Sequence, residues 1–365
     1  MGTASPDLTT TGKQHFEVLD GLRGSAALLV VLFHIQGITV DFTQGKLLLP
    51  HAYLAVDFFF ALSGFVIGYA YDDRWGRMTV PEFFRIRLIR LHPLVVLGTV
   101  LGLLSYLFDP FAAGKQDATF AMLAQALILG LLLLPAKPLP NRWEDTHTLN
   151  GPAWTLLQEY IGNIAYALVL RRLGTTALLV FALLGAVGLF IFGATLDTLD
   201  RGWGWDNIGL GTLRLWFPFA IGLWLYRARD SLPAFRLGWL PLTAILTVAF
   251  CAPQIPPAGG IHWNGLYEAA CVVVLFPLVV LAGAHSHAGL GTINLCKFSG
   301  RISYPIYITH FPFMYIWMNY MATGQATPTT KTVFAIALLL FSIGLAWLAF
   351  RFWDLPIRER LRRRT

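Results

Sequence analysis

The stretch Leu19-Asp20-Gly21-Leu22-Arg23-Gly24-Ser25-Ala26-Ala27-Leu28-Leu29-Val30-Val31-Leu32-Phe33-His34 decides how the rest of the chain is read. It is mostly apolar, on the scale of the about 20 residues that a helix needs to cross a bilayer. Two charged side chains near its start and an imidazole at its end interrupt that character. A charge at bilayer depth costs at least about 2.5–3.5 kcal/mol, so each such group needs a partner or a purpose. Arg23 and His34 are eleven residues apart. At about 100° per residue that spacing is ~20° from three full turns, so both project from one helix face, ~16 Å apart along the axis.

The whole chain shares this composition. Of its 365 residues 56% are hydrophobic and 13% charged, and mean hydropathy is +0.60. A soluble domain carries about 25% charged residues. Disorder, coiled coil and a disulfide-stapled secreted fold are therefore ruled out, and the balance speaks against a soluble enzyme. The 12 Trp and 12 Tyr suit bilayer interfaces. Cys251, Cys271 and Cys296 form no disulfide framework and read as small buried packing residues. A net charge of +7 could suggest nucleic acid, but the Arg clusters flank apolar segments, which argues against it.

Candidate spans fall near 18–40, 53–71, 92–108, 119–135, 152–170, 176–195, 207–226, 237–252, 265–284, 298–320 and 332–352. The expected fold is all-α, a polytopic transmembrane bundle with a tail over 1–17, one domain over 18–352 and a basic tail over 353–365. The first span lacks a small-residue cleavage site, so it reads as a retained signal anchor. Arg74, Arg77, Arg85, Arg87, Arg90, Arg171, Arg172, Arg227, Arg229, Arg236, Arg358, Arg360 and Arg362 to Arg364 mark cytoplasmic loops by the positive-inside rule, which places both termini inside. Three candidates separate Arg90 from Arg171, an odd number, so one of 92–108, 119–135 or 152–170 must fail to cross. About ten spans remain, and a bacterial inner membrane fits.

Further ionisable groups sit in the apolar segments. Asp57 enters the second span in Val56-Asp57-Phe58-Phe59-Phe60-Ala61-Leu62-Ser63-Gly64-Phe65 at a depth within roughly 5 Å of His34, counting helix rise from each side. A carboxylate beside an imidazole fixes its tautomer and raises its basicity. Glu159 follows Trp154, Arg214 lies in Leu213-Arg214-Leu215-Trp216, Arg301 begins a late span, and His310 closes Ser303-Tyr304-Pro305-Ile306-Tyr307-Ile308-Thr309-His310. Each has a plainer reading: a snorkelling Arg23, a satisfied buried His34, a helix-capping Asp57, or members of structural ion pairs. Arg85, Arg87 and Arg90 before the third span are either positive-inside anchors or a phosphate clamp, since Arg suits bidentate phosphate contacts; Arg87 and Arg90 share a face and Arg85 is displaced from it. No Cys/His spacing supports a metal site, and no P-loop, G-x-S-x-G or dinucleotide fingerprint occurs.

Taken together, these motifs resemble acyltransferase family 3 of integral membrane proteins, which includes sugar O-acetyltransferases and macrolide acyltransferases. Leu19-Asp20-Gly21-Leu22-Arg23-Gly24 to His34 is similar to its Arg-x10-His signature, and Phe58 to Phe65 to its second-helix motif. Arg87-Leu88-Ile89-Arg90-Leu91-His92-Pro93, Trp154 to Glu159, and Ser303 to His310 resemble three further elements in order. Asp354-Leu355-Pro356 stands where many members have Glu-x-Pro, a departure. The resemblance runs from about 15 to 357.

It implies an acyl-CoA co-substrate, acetyl-CoA above all, with no tightly bound cofactor, and transfer to a hydroxyl of a carbohydrate or glycolipid acceptor. Some relatives carry an extracytoplasmic esterase-like domain after the helices; this chain is expected to lack it, leaving that role to a separate partner protein. The resemblance also assigns roles to residues. His34 is the base that a weak hydroxyl nucleophile needs, oriented by Asp57 or Glu159. Arg214 or His310 donates to the developing oxyanion. Arg87 and Arg90, with Arg85 nearby, hold phosphates, and Arg23 guides the pantetheine or a phosphate. The competing expectation is a proton-coupled transporter, which would also show intramembrane His, Asp, Glu and Arg.

Overall fold

The computed structural model describes residues 15–363 apart from residue 44 and the side chain of residue 115. Most of the expected N-terminal tail, residues 1–14, lies outside the described residues, as does Arg364. Among the described residues the chain is helical and without strands; two isolated bridges pair Asp145 with Gly204 and Ala258 with Ile261. The helices in order are α1 (Glu17–Thr39), α2 (Ala55–Tyr71), α3 (Val80–Leu107), α4 (Phe120–Leu131), α5 (Trp154–Leu168), α6 (Thr175–Leu196) and α7 (Ile208–Ala228). They continue as α8 (Trp239–Cys251), α9 (Trp263–Ala270), α10 (Phe276–Ala284), α11 (Ile293–Thr309), α12 (Phe311–Ala322), α13 (Pro328–Leu348) and α14 (Leu355–Arg363).

Among the described residues seven helical stretches are long and apolar enough to cross a membrane: Glu17–Thr39, Ala52–Tyr71, Val80–Leu107, Thr175–Leu196, Ile208–Ser231, Trp263–Ala284 and Pro328–Arg363. The other candidates differ in recognisable ways. Those at 119–135, 152–170 and 237–252 are helices of 12, 15 and 13 residues, shorter than a span. The one at 298–320 breaks at His310 between α11 and α12. Pro312 has no N–H to offer the Ile308 carbonyl, and the Asn150 side chain donates to that carbonyl instead, at 2.8 Å.

Two boundaries need correction. Arg85, Arg87 and Arg90 do not precede the third span but lie inside it, because α3 starts at Val80. A capping box starts it there: the Thr79 N–H donates to Glu82 Oε2 at 2.7 Å, and the Glu82 N–H donates to Thr79 Oγ1 at 3.4 Å. The segment read as a basic tail over 353–365 is helical as far as it is described. A π turn over Ala349–Asp354 joins α13 to α14, and Trp353 Nε1 donates to Pro93 O at 2.7 Å, pinning it to α3. Cys251 is exposed rather than buried.

Helices α1 and α2 are the most enclosed and α13 lies at the rim: 67% of the apolar window is buried for α1, 72% for the stretch containing α2 and 17% for the stretch containing α13. Small residues set the contacts that matter for the site. A Cβ at Gly24 would lie 2.4 Å from Ser299 Cβ, and one at Gly300 would lie 2.6 Å from Asp20 Cβ. Helices α1 and α11 therefore touch backbone to backbone. That register faces Arg23 to Ser303 and His34 to His310.

Candidate functional site

A cavity of about 420 Å³ opens between α1, α2, α3, α5, α11 and the 349–358 segment. Five arginines line it (Arg23, Arg87, Arg90, Arg301 and Arg358) against two carboxylates, Glu159 and Asp354. Arg301 is exposed and Arg23, Arg90 and Arg358 are half-buried, whereas Phe60, Thr155 and Tyr307 are buried. The cavity is thus cationic toward its exposed end, with buried aromatic and hydroxyl side chains as its floor. Arg85 is exposed and does not line it, because its place on α3 is turned away from Arg87 and Arg90.

Arg23 and Arg87 are held by neighbouring side chains and carbonyls. Arg23 Nε donates to Ser303 Oγ at 2.9 Å and Nη2 to Gly300 O at 2.8 Å, while Asp20 pairs with it at 2.8 Å. Arg87 Nη2 donates to Glu159 Oε1 at 2.6 Å, and Ser63 Oγ donates to the same oxygen at 2.7 Å. Arg87 Nε is buried without a partner. At the floor Thr155 Oγ1 lies 3.0 Å from the Tyr307 hydroxyl. The Tyr307 ring packs 5.6 Å from Phe59 and 6.2 Å from the ring of His310.

Behind this floor stand the two histidines. His310 Nδ1 lies 2.9 Å from Ile306 O, and His310 Nε2 lies 2.9 Å from His34 Nδ1. A carbonyl oxygen only accepts, so the Nδ1 of His310 carries the hydrogen of that bond. His310 is 0% exposed, and a charge there would lack hydration, so the ring is neutral and its Nε2 is a bare acceptor. His34 Nδ1 therefore donates to it. The remaining nitrogen, His34 Nε2, keeps its lone pair free of protein partners in this arrangement. A chain of carbonyl, imidazole and imidazole fixes one tautomer and orients the His34 ring, as a carboxylate beside an imidazole can do.

This corrects the expected pairings. Neither Asp57 nor Glu159 orients His34. Asp57 Oδ1 and Oδ2 accept from Arg214 Nε at 3.2 Å and Nη2 at 2.6 Å, and Glu159 is taken by Arg87 and Ser63. The reason is direction: α2 packs on α7 through Gly64 and Gly222, where a Cβ would meet a backbone oxygen at 2.0 Å, so Asp57 faces α7 rather than α1. Arg214 is no free oxyanion donor either. Its Nη1 donates to Arg201 O at 2.8 Å and its Nη2 also reaches Tyr53 O at 3.3 Å, and Trp154 covers its guanidinium at 5.5 Å. His310 spends both nitrogens on Ile306 and His34.

Sequence reasoning left Tyr307, Ser303, Thr155, Asp354 and Arg358 without roles. Tyr307 and Ser303 lie in the Ser303 to His310 motif, with Tyr307 four residues after Ser303 and three before His310, which puts them on one side of α11. That spacing was a usable signal. Nothing in the sequence announces that Asp354 and Arg358 fold back onto α3. His147 is buried, and burial pushes its imidazole down to about 4, so it stays neutral. Among the described residues no three His, Cys, Asp or Glu side chains gather as a metal site.

Among known proteins, the family described as an acyltransferase domain, acyltransferase family 3, matches residues 16–351. Protein 2 in picA locus of Rhizobium radiobacter is 37% identical over 170 residues, covering 42% of this chain and 82% of that protein. No solved structure matches.

Proposed function

The chain belongs to acyltransferase family 3, and from that premise we propose that it moves an acyl group, acetyl above others, from cytoplasmic acyl-CoA to a hydroxyl of a carbohydrate or glycoconjugate beyond the membrane. The chain makes about ten crossings of a bacterial inner membrane in this reading, with both termini and the open, arginine-lined end of the cavity on the cytoplasmic side. The observation that carries it is the sequence of environments along one path. Five arginines surround the mouth, aromatic and hydroxyl side chains form the floor, and the His34–His310 pair stands beside that floor. A polyanion with a long neutral arm and a reactive end fits such a path, and CoA thioesters have that form.

The residues supply the steps. Arg87, Arg90 and Arg358 attract the phosphates, with Arg23 one stage deeper. The thioester carbonyl reaches the floor near Tyr307. His34 Nε2 takes the proton of the acceptor hydroxyl as its oxygen bonds to the carbonyl carbon. His310 Nε2, accepting from His34 Nδ1–H, stabilises the imidazolium that forms. When the Thr155 proton turns from the Pro152 carbonyl to the Tyr307 oxygen, the Tyr307 O–H is free to donate to the developing oxyanion. The C–S bond then breaks, and the leaving thiolate takes the proton from His34 Nε2. The products are the ester and free CoA.

Thiol release tests this. Purified protein in detergent, given acetyl-CoA and a mixture of sugar acceptors, is expected to release CoA, and His34→Ala is expected to abolish the release. Unchanged release in His34→Ala removes that residue from the chemistry. A proton-coupled carrier would consume no CoA and would show no acetyl-CoA binding that depends on Arg87. The closed Arg214–Asp57 pair takes two of the intramembrane charged groups out of any proton relay, which also favours the transferase.

A further inference from the structure

The buried polar atoms that lack partners cluster, in part, around the cavity. Arg87 Nε, Arg358 Nε and Asp354 Oδ1 are all in this condition, and all three residues line it. Asp354 is 2% exposed. Its Oδ2 accepts from Arg358 Nη1 at 2.9 Å, so the Oδ1 is a single unused acceptor held in a fixed direction. A buried acceptor left unsatisfied costs free energy that a bound ligand recovers.

The local backbone explains how Asp354 gets there. The π turn over Ala349–Asp354 adds a residue to the helical turn and rotates the helix beyond it by about 100°. The bond from Trp353 Nε1 to Pro93 O fixes that rotation against α3. The two helices run antiparallel at this contact. Arg87 and Arg90 precede Pro93 toward the open end of the cavity, and Arg358 comes after Asp354 in the same direction. Asp354 therefore lies about 6 Å deeper than Arg358, one helical turn closer to the floor.

A carboxylate repels phosphate but accepts from an O–H or N–H. We propose that Asp354 is a donor-recognition residue: its Oδ1 accepts a hydrogen bond from the hydroxyl or amide that begins the pantetheine arm, just past phosphates held by Arg358 and its neighbours. This rests on the acyl-CoA reading above. The C-terminal helical segment is then part of the donor site, and it measures the distance between the phosphates and the first donor of the arm.

Binding calorimetry on the full chain in detergent separates the cases, with acetyl-CoA, S-acetyl-4′-phosphopantetheine and 3′,5′-adenosine diphosphate as probes. Losing a hydrogen bond to a charged group corresponds to about 10- to 100-fold in affinity. Asp354→Ala is expected to weaken acetyl-CoA and the phosphopantetheine thioester by that factor and to leave the adenosine diphosphate unchanged, which also shows that the variant is folded. Asp354→Asn, which keeps a carbonyl acceptor, is expected to recover part of the loss. Equal binding of acetyl-CoA by wild type and Asp354→Ala overturns the assignment, as does equal weakening of all three probes. If the wild type binds none of the three, the acyl-CoA reading itself falls and takes this assignment with it.

Discussion

The Arg214–Asp57 and Arg87–Glu159 pairs share a closest distance of 2.6 Å, yet their surroundings differ. Arg214 and Asp57 are 1% and 0% exposed, and carbonyls of Arg201 and Tyr53 take further guanidinium hydrogens. Arg87 and Glu159 are 4% and 16% exposed, border the cavity, and leave Arg87 Nε unused. The first pair is closed and joins α2 to α7; the second is open and has capacity for a ligand. Two intramembrane ion pairs with the same chemistry thus divide into a structural tie and a site component, and the unused hydrogen-bonding atoms make the distinction.

The comparison can be broken most directly at its closed member. Asp57→Ala leaves Arg214 buried without its counter-charge, a cost of about 3–5 kcal/mol. Thermal unfolding in detergent is expected to show a large loss for Asp57→Ala and a much smaller one for Glu159→Gln; equal losses would erase the difference between the pairs. His34→Ala is expected to cut turnover by about 10²–10⁴ with a fall in unfolding temperature well short of that in Asp57→Ala, since it gives up one neutral hydrogen bond to His310 and no buried charge pair. An unfolding temperature that falls as far as in Asp57→Ala would make His34 a structural residue.

The open pair gives the next effect. Arg87→Gln is expected to raise the acetyl-CoA KM by about 10- to 100-fold, the scale of a lost charge-assisted bond, more than it lowers kcat. A fall in kcat alone would move Arg87 from binding to chemistry. Ser303→Ala should have the smallest consequence. It removes one acceptor from Arg23, worth about 0.5–1.5 kcal/mol, and Arg23 retains Gly300 O and Asp20. A several-fold rise in donor KM with normal stability is expected, and a rise as large as that of Arg87→Gln would place Arg23 above Arg87 in donor binding.

Apolar length and the positions of charge made the helical, membrane-spanning character legible, because both are one-dimensional properties. Arg23 and Glu159 stood out for the same reason, since a charge within a span is costly wherever the helix packs, and Arg87 and Arg90 stood out as a basic cluster beside a span. His34 was visible through its spacing from Arg23, which helix geometry alone converts into a shared face. The sequence could not show which way α2 faces. Asp57 at the depth of His34 looked like its partner, and only the α2–α7 contact through Gly64 and Gly222 turned it to Arg214.

The sequence by itself determined which residues must be accounted for and the periodicity that groups them along each helix. The tertiary structure decided who meets whom. Backbone contact between α1 and α11 made His310 the partner of His34, and the Ile306 carbonyl one turn back along α11 takes the His310 Nδ1 hydrogen, which sets the tautomer of both rings. The π turn before Leu355 carried Asp354 and Arg358 back to the cavity. Hydrogen bonds act over about 3 Å and in a fixed direction, so rotations and offsets between helices, which a linear pattern does not encode, determine the pairings.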